Sequence, residues 1–184
     1  MENLIADKTD VFIYSDGPKK ETDEDNVAQV RNYCEHLKGF NKVTVIKRKT
    51  NRGLANNIIE GVSDVINEYG KAIVVEDDLV TSPYFLSYMN KALDYYQNKE
   101  KVISISSYSY PDSLLRIPDE YQYDVYCIGR NSSWGWATWK DRWKKVDWDV
   151  NDYDEFIKSK EKRRQFQRNG EDVTRLLRLW KRGI

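Results

Sequence analysis

The sequence predicts an α/β fold, a mostly parallel sheet with helices on both faces. Three observations carry that expectation. Between Asp10 and Tyr96, short apolar runs rich in β-branched residues alternate three times with segments of helical periodicity. The strongest run, Ala72-Ile73-Val74-Val75, is continuously apolar, as a strand buried on both faces should be. No glycine-, serine- or proline-rich linker divides the 184 residues, a length that suits one domain with a full core.

Taken in order, Asp10 to Ser15 reads as a strand closed by the turn Asp16-Gly17-Pro18, so Asp16 stands at a strand's carboxyl end. Val27, Val30, Cys34 and Leu37 then recur at helical spacing behind the acidic stretch Glu21 to Asp25, and Gly39 ends that helix. Val43 to Ile46 is a second strand, and Asn51-Arg52-Gly53 leads into a helix whose face is Leu54, Ile58, Val62, Val65, Ile66 and Tyr69. The strand from Lys71 to Leu79 follows. Thr81-Ser82-Pro83 caps a helix with proline at its first position and Phe85, Met89, Ala92, Leu93 and Tyr96 as its buried stripe. Val102 to Ser106 is a further strand, leading into the loop Ser107-Tyr108-Ser109-Tyr110-Pro111. Beyond Pro118, Val125 to Ile128 reads as strand, and five of the six tryptophans fall between Trp134 and Trp148. From Tyr153 onward the chain reads as charged helix, with Val173, Leu176, Leu177 and Trp180 on one stripe.

Composition narrows the functional classes. The 30 basic and 30 acidic residues cancel, which argues against a general nucleic-acid-binding surface. Cys34 and Cys127 are far apart and form no metal-binding spacing, so they suit a reducing compartment. No apolar stretch approaches the roughly 20 residues of a membrane helix, and the polar start Met1-Glu2-Asn3 has no signal-peptide core. A soluble, cytoplasmic protein is expected.

The chemistry-bearing stretch is Glu76-Asp77-Asp78, where the buried run ends in three acids. Open α/β sheets keep their ligands at that carboxyl edge. Three adjacent carboxylates repel one another, so a cation or a set of backbone donors would hold them together. A solvated strand end followed by a helix cap accounts for them equally well. The tryptophans also have two readings. Trp139 and Trp143, spaced like one helix face, read as packing, whereas Trp134 and Trp136, with Gly135 between them, fit either a sugar-stacking wall or core. The basic stretch Lys158 to Arg164 could meet phosphates or an anionic membrane surface, or form a solvated face, since Glu161 interrupts it. His36, the only histidine, reads as structural or solvated rather than as a base.

Five motifs in fixed order, Tyr14-Ser15-Asp16-Gly17, Asn51-Arg52-Gly53-Leu54, Val75-Glu76-Asp77-Asp78-Leu79 with Ser82-Pro83-Tyr84-Phe85, Ser107-Tyr108-Ser109-Tyr110-Pro111, and Trp134-Gly135-Trp136-Ala137-Thr138-Trp139, resemble those of bacterial family-2-like glycosyltransferases. Those enzymes are similar in turn to the N-acetylglucosaminyltransferases of type I. The resemblance implies a glycosyltransferase-A (Rossmann-like) fold, a nucleotide-sugar donor, a glycan acceptor, Mn²⁺ or Mg²⁺, and inversion at the anomeric carbon. By the same resemblance Asp16 contacts the donor's base, Glu76 and Asp77 touch donor sugar, ribose or bound water, and Asp78 is the metal ligand. Asp172 falls where the family carries its catalytic base, with Glu171 as the nearest rival.

Family members begin with a further strand, which the first ten residues here do not contain, and continue past the region of Lys181-Arg182-Gly183, so the resemblance implies a single domain, 1–184, truncated at both ends. Residues 1–118 would form its nucleotide-sugar-binding part and 119–184 its acceptor-side part. A missing strand would expose a sheet edge suited to homodimerisation, and a non-catalytic fragment that binds nucleotide-sugar is the alternative function. Phosphoryl-transfer chemistry is disfavoured, because no glycine-rich phosphate loop is present.

Overall fold

The computed structural model describes residues 3–183, Asn169 by its backbone alone. The polar start at Met1 and Glu2, and Ile184 at the end of the expected domain, lie outside the described residues. The described chain forms two compact units. One runs through Ser107 and takes in Ser133–Trp143, and the other comprises Tyr108–Ser132 and the residues from Lys144 onward.

The first unit holds β1 (Asp10–Ser15), α1 (Glu24–Glu35), β2 (Lys42–Lys47), α2 (Leu54–Tyr69), β3 (Lys71–Val74), α3 (Phe85–Tyr96), β4 (Ile105–Ser106), β5 (Trp136–Trp139) and the single turn α4 (Lys140–Trp143). β1 and β2 pair in parallel, Asp10 opposite Lys42 through Ser15 opposite Lys47. The other sheet runs in the order β3-β5-β4 and is antiparallel throughout, with Ala137 opposite both Ile73 and Ile105. The expected α/β class therefore holds, while the expectation of a mostly parallel sheet is corrected. β3 and β4 point the same way, but β5 lies between them and takes the hydrogen bonds a direct parallel pairing would have used.

Side-chain alternation along β5 explains why four residues suffice. Ala137 and Trp139 face Phe85, Met89 and Leu93 of α3, while Trp136 joins Val62 and Ile66 of α2 and Trp143 on the opposite face. All four β5 residues are buried, so the sheet carries helices on both faces. Trp139 and Trp143 do pack in the core, although Trp139 belongs to a strand rather than to a helix face shared with Trp143. Gly135 makes entry to β5 possible: its φ is +73°, and a Cβ there would stand 2.5 Å from Ser107 Oγ and 3.0 Å from Phe85. The close approach that this glycine allows is made to Ser107 and Phe85.

Local corrections have physical causes. The inner face of α1 carries Arg31, with Val30 58 % exposed, because the guanidinium bonds the strand ends beneath it. Leu54 and Tyr69, at the two ends of α2, are exposed and the middle of the stripe is buried. Ser82 accepts from the Tyr84 amide at 3.1 Å and so forms a turn ahead of α3 rather than its cap. Cap duty falls to Asn3, whose Oδ1 accepts from the Leu86 amide at 3.1 Å.

The second unit contains α5 (Tyr153–Lys158), α6 (Lys160–Phe166), a 3₁₀ turn (Gln167–Asn169) and α7 (Val173–Lys181). The expected strand Val125 to Ile128 is absent; Cys127 and Ile128 are exposed and no strand pairs there. The stripe expected on α7 is only partly covered, with Leu176 and Trp180 exposed.

Candidate functional site

β3 ends at Val74, and the three acids occupy the tight turn that follows, closed by the Leu79 amide donating to the Glu76 carbonyl at 3.3 Å. Glu76 is half-buried, and Asp77 and Asp78 are exposed. Among the described residues none of the three carboxylates is engaged by another side chain. They do not form a ready-made cage either: no group of three or more His, Cys, Asp or Glu among the described residues is arranged to hold a metal. Accessible hard oxygen donors that are few in number fit a divalent cation bound mainly by a ligand's phosphates. The segment behind the turn is fixed by the chain start, where Leu4 donates to the Pro83 carbonyl at 3.0 Å and Asn3 Nδ2 to the Ser82 carbonyl at 3.0 Å.

Asp16 lies just past β1, where its carboxylate gathers three amides. Gly17 N and Arg52 N donate to Oδ1, each at 2.8 Å, and Gly53 N donates to Oδ2 at 3.0 Å. Partial burial pushes its pKa up, but the three amides and the Arg48 charge outweigh that and hold it below the ordinary aspartate range. Asp16 therefore shapes the loop Asn51-Arg52-Gly53. Asn51 reinforces the join by donating to the Gly17 carbonyl at 2.9 Å.

Beneath this loop Arg31 ties the strand ends together. Its Nε donates to Ser15 Oγ at 3.0 Å, and Nη2 donates to the carbonyls of Asp16 at 3.0 Å and Arg48 at 2.7 Å. A groove of about 530 Å³ opens beside Arg31, Lys47 and Lys49, but Glu24, Asp25 and Glu35 also line it, so it defines no anion site. Trp136 is core, stacked on Trp143 with ring centroids 5.8 Å apart. Trp134 is 52 % exposed and is the one of the pair that solvent can reach. His36 is exposed and its Nδ1 lies 2.7 Å from the Asn32 carbonyl, a solvated histidine tied to its own helix.

In the second unit Asp172 takes the N-cap position of α7, one residue ahead of the helix, but makes no side-chain cap. Arg130 Nη1 instead donates to Asp172 Oδ1 at 2.7 Å. The Arg130 hydrogen bond, joined by the arginine's charge, outweighs an opposing effect of desolvation and holds the Asp172 carboxyl below its ordinary range. Glu171 beside it is exposed. Arg31 and Arg130 are the residues that sequence reasoning missed. Arg31 had a signal, since it falls at helical spacing between Val27 and Cys34; Arg130, in an irregular segment, had none.

The fold defines a mixed α/β protein with accessible acids just beyond the ends of its strands. The model of the GNT-I family matches residues 5–184, and the chain belongs to that family. It is therefore an enzyme, a glycosyltransferase that uses a nucleotide-sugar donor. No curated protein and no solved structure matches the chain.

Proposed function

We propose that the protein is a metal-dependent, inverting glycosyltransferase of the glycosyltransferase-A type that moves a sugar from a UDP-linked donor to a glycan or polysaccharide. The observation that carries this reading is the turn after β3, where accessible carboxylates that no other side chain engages among the described residues stand at the carboxyl edge of a sheet in a chain of the GNT-I family. Asp78 would hold Mn²⁺ or Mg²⁺. When bound, the cation neutralises the charge that develops on the departing diphosphate. Glu76 and Asp77 would touch the donor's sugar, its ribose or bound water. Asp16 meets the base and keeps the 51–53 loop in shape. Asp172, or Glu171 as its rival, takes the acceptor hydroxyl's proton as that oxygen bonds to the anomeric carbon and the bond to the diphosphate breaks. Trp134 offers a ring face to a sugar.

Calorimetry with UDP, with and without Mn²⁺, on wild type and Asp78→Asn tests the reading. Mn²⁺ should tighten UDP binding to wild type and have a much weaker effect on the variant, with GDP as the control for base preference. Equal UDP affinity in all four titrations would refute it.

The further setting follows from the same reading. A cytoplasmic location, peripheral attachment to an anionic membrane through Lys158 to Arg164, and pairing of copies along the free edges of β1 or β2 are part of the proposal. In its support, no described helix is long and apolar enough to cross a membrane, and β1 and β2 pair only with each other among the described residues. Light scattering and vesicle sedimentation would check the last two.

A further inference from the structure

We propose that Arg130 is a positioning residue for the proton acceptor, holding the Asp172 carboxylate in one place, and that residue 170 is glycine so that this pair can form. The proposal rests on the reading of Asp172 as the base. Three observations converge on it, all within the second unit.

The first is the contact. Arg130 Nη1 lies 2.7 Å from Asp172 Oδ1, with the two side chains 37 % and 50 % exposed. A charge-assisted bond of this length fixes a carboxylate's direction. It engages Oδ1, and a base needs one oxygen, so pairing and proton uptake can coexist. The second is the position of Asp172 in the fold. An aspartate at a helix N-cap ordinarily turns its carboxylate onto the helix's own amides. Asp172 does not, and the helix is anchored through its backbone, the Leu176 amide donating to the Asp172 carbonyl at 2.9 Å.

The third is Gly170. Its φ of +136° is one that other residues rarely adopt, and a Cβ there would stand 2.8 Å from Asp172 Oδ1 and 2.9 Å from Arg130 Nη1. Both near contacts are the two atoms of the ion pair. A side chain at 170 would therefore occupy the space in which the pair forms.

The role has a kinetic signature. Arg130 is the charged side chain shifting Asp172 among the described residues, and the Tyr110 phenol acts on Arg130 in turn. A cation beside the base keeps it ionised to lower pH. In the transfer the acceptor hydroxyl's proton passes to the Asp172 carboxylate as the carbon–oxygen bond forms and the electron pair of the cleaved bond leaves on the diphosphate; the proton is then lost to solvent. Without Arg130 the acid limb of the kcat profile should move to higher pH.

Transfer kinetics across pH for wild type, Arg130→Ala, Arg130→Lys, Gly170→Ala and Asp172→Asn test the proposal, together with a carbon NMR titration of the Asp172 carboxyl. Arg130→Ala should lower kcat by about 10- to 100-fold, the scale of a misplaced catalytic group, with donor KM unchanged and the acid limb raised. Arg130→Lys should restore part of the rate, and Gly170→Ala should resemble Arg130→Ala. An Asp172→Asn enzyme that is inactive beside an Arg130→Ala enzyme with wild-type kcat and pH profile overturns the positioning role and leaves the base reading standing. Wild-type transfer by Asp172→Asn overturns the base reading and the proposal with it. If the wild-type chain shows no transfer, the titration decides: an Asp172 carboxyl that titrates at the same pH with and without Arg130 overturns the proposal.

Discussion

Gly61 in α2 lies against the ring of Tyr14 in β1, so close that a Cβ at residue 61 would stand 2.9 Å from ring carbons Cγ and Cδ2. The helix can rest on that strand only because residue 61 has no side chain. Gly61→Ala gains about 1 kcal/mol of helix propensity but overpacks the contact at a cost of about 1–3 kcal/mol. A net loss of up to about 2 kcal/mol is expected, read as a lower midpoint in urea. A more stable variant would show that the ring moves freely.

Burial and the neighbouring Asp64 carboxylate, 3.4 Å from its hydroxyl, push the Tyr14 phenol up to about 12. A raised folded-state pKa means that the folded chain holds its proton longer than the unfolded chain does. Tyr14's contribution is therefore complete below the ordinary value of 10.0 and is lost as the pH rises through about 12. Stability measured from pH 9 to 12 should fall less steeply for Tyr14→Phe than for wild type.

For Asp16 the sign is reversed. Its lowered pKa gives a contribution that is present above the ordinary aspartate value of 3.8 and is lost as the pH falls through the folded-state pKa. Asp16→Asn turns an acceptor for three amides into a group that must present an NH₂ to at least one of them, which should cost about 1–2 kcal/mol at neutral pH. Thermal melts from pH 7 to 2 should show the gap between wild type and variant closing at the acid end. Donor binding should weaken alongside, because the 51–53 loop loses its shape.

Arg142 is a buried charge with a structural task. Its side chain is 3 % exposed, Nη2 donates to the Gln97 carbonyl at 2.7 Å beyond the end of α3, and its guanidinium lies 4.5 Å from the centre of the Trp139 ring. Arg142→Ala takes that donor from the Gln97 carbonyl and empties packed volume, for an expected loss of about 2–4 kcal/mol. Arg142→Lys should recover little of it, since an ammonium lacks the planar fork and the stacking face. Denaturant titrations of the three proteins would show this order.

What the sequence disclosed follows the strength of its periodicities. α2 and α3 were legible because their stripes are long, and β1, β2 and the start of β3 because β-branched runs end at turn residues or acids. β5 was not. Trp136-Ala137-Thr138-Trp139 is buried on both faces, so it shows no alternation, and its pairing with Ile73 and Ile105 depends on residues more than 30 positions away. That one strand changes the second sheet from parallel to antiparallel. Within the site, the motifs placed Asp16 and the three acids at strand ends, where the structure has them. Partners were another matter: nothing local announces that Asp16 would collect the amides of residues 52 and 53, or that Asp172 would turn away from α7 toward Arg130.

The late arrival of β5 bears on how a ribosome must deliver this protein. The chain leaves its first compact unit at Ser107 and re-enters at Ser133, so the middle strand of the three-stranded sheet is synthesised last. Until Trp139 emerges, β3 and β4 have no strand between them, and the α3 stripe of Phe85, Met89 and Leu93 lacks Ala137 and the Trp139 ring that close over it. At roughly 5–20 residues per second that interval lasts on the order of seconds, with open strand edges and uncovered apolar surface on a nascent chain. A circular permutant in which β5 is translated before β3 would shorten the exposure, and a higher soluble yield from that rearranged gene in cells lacking nascent-chain chaperones is the expected result.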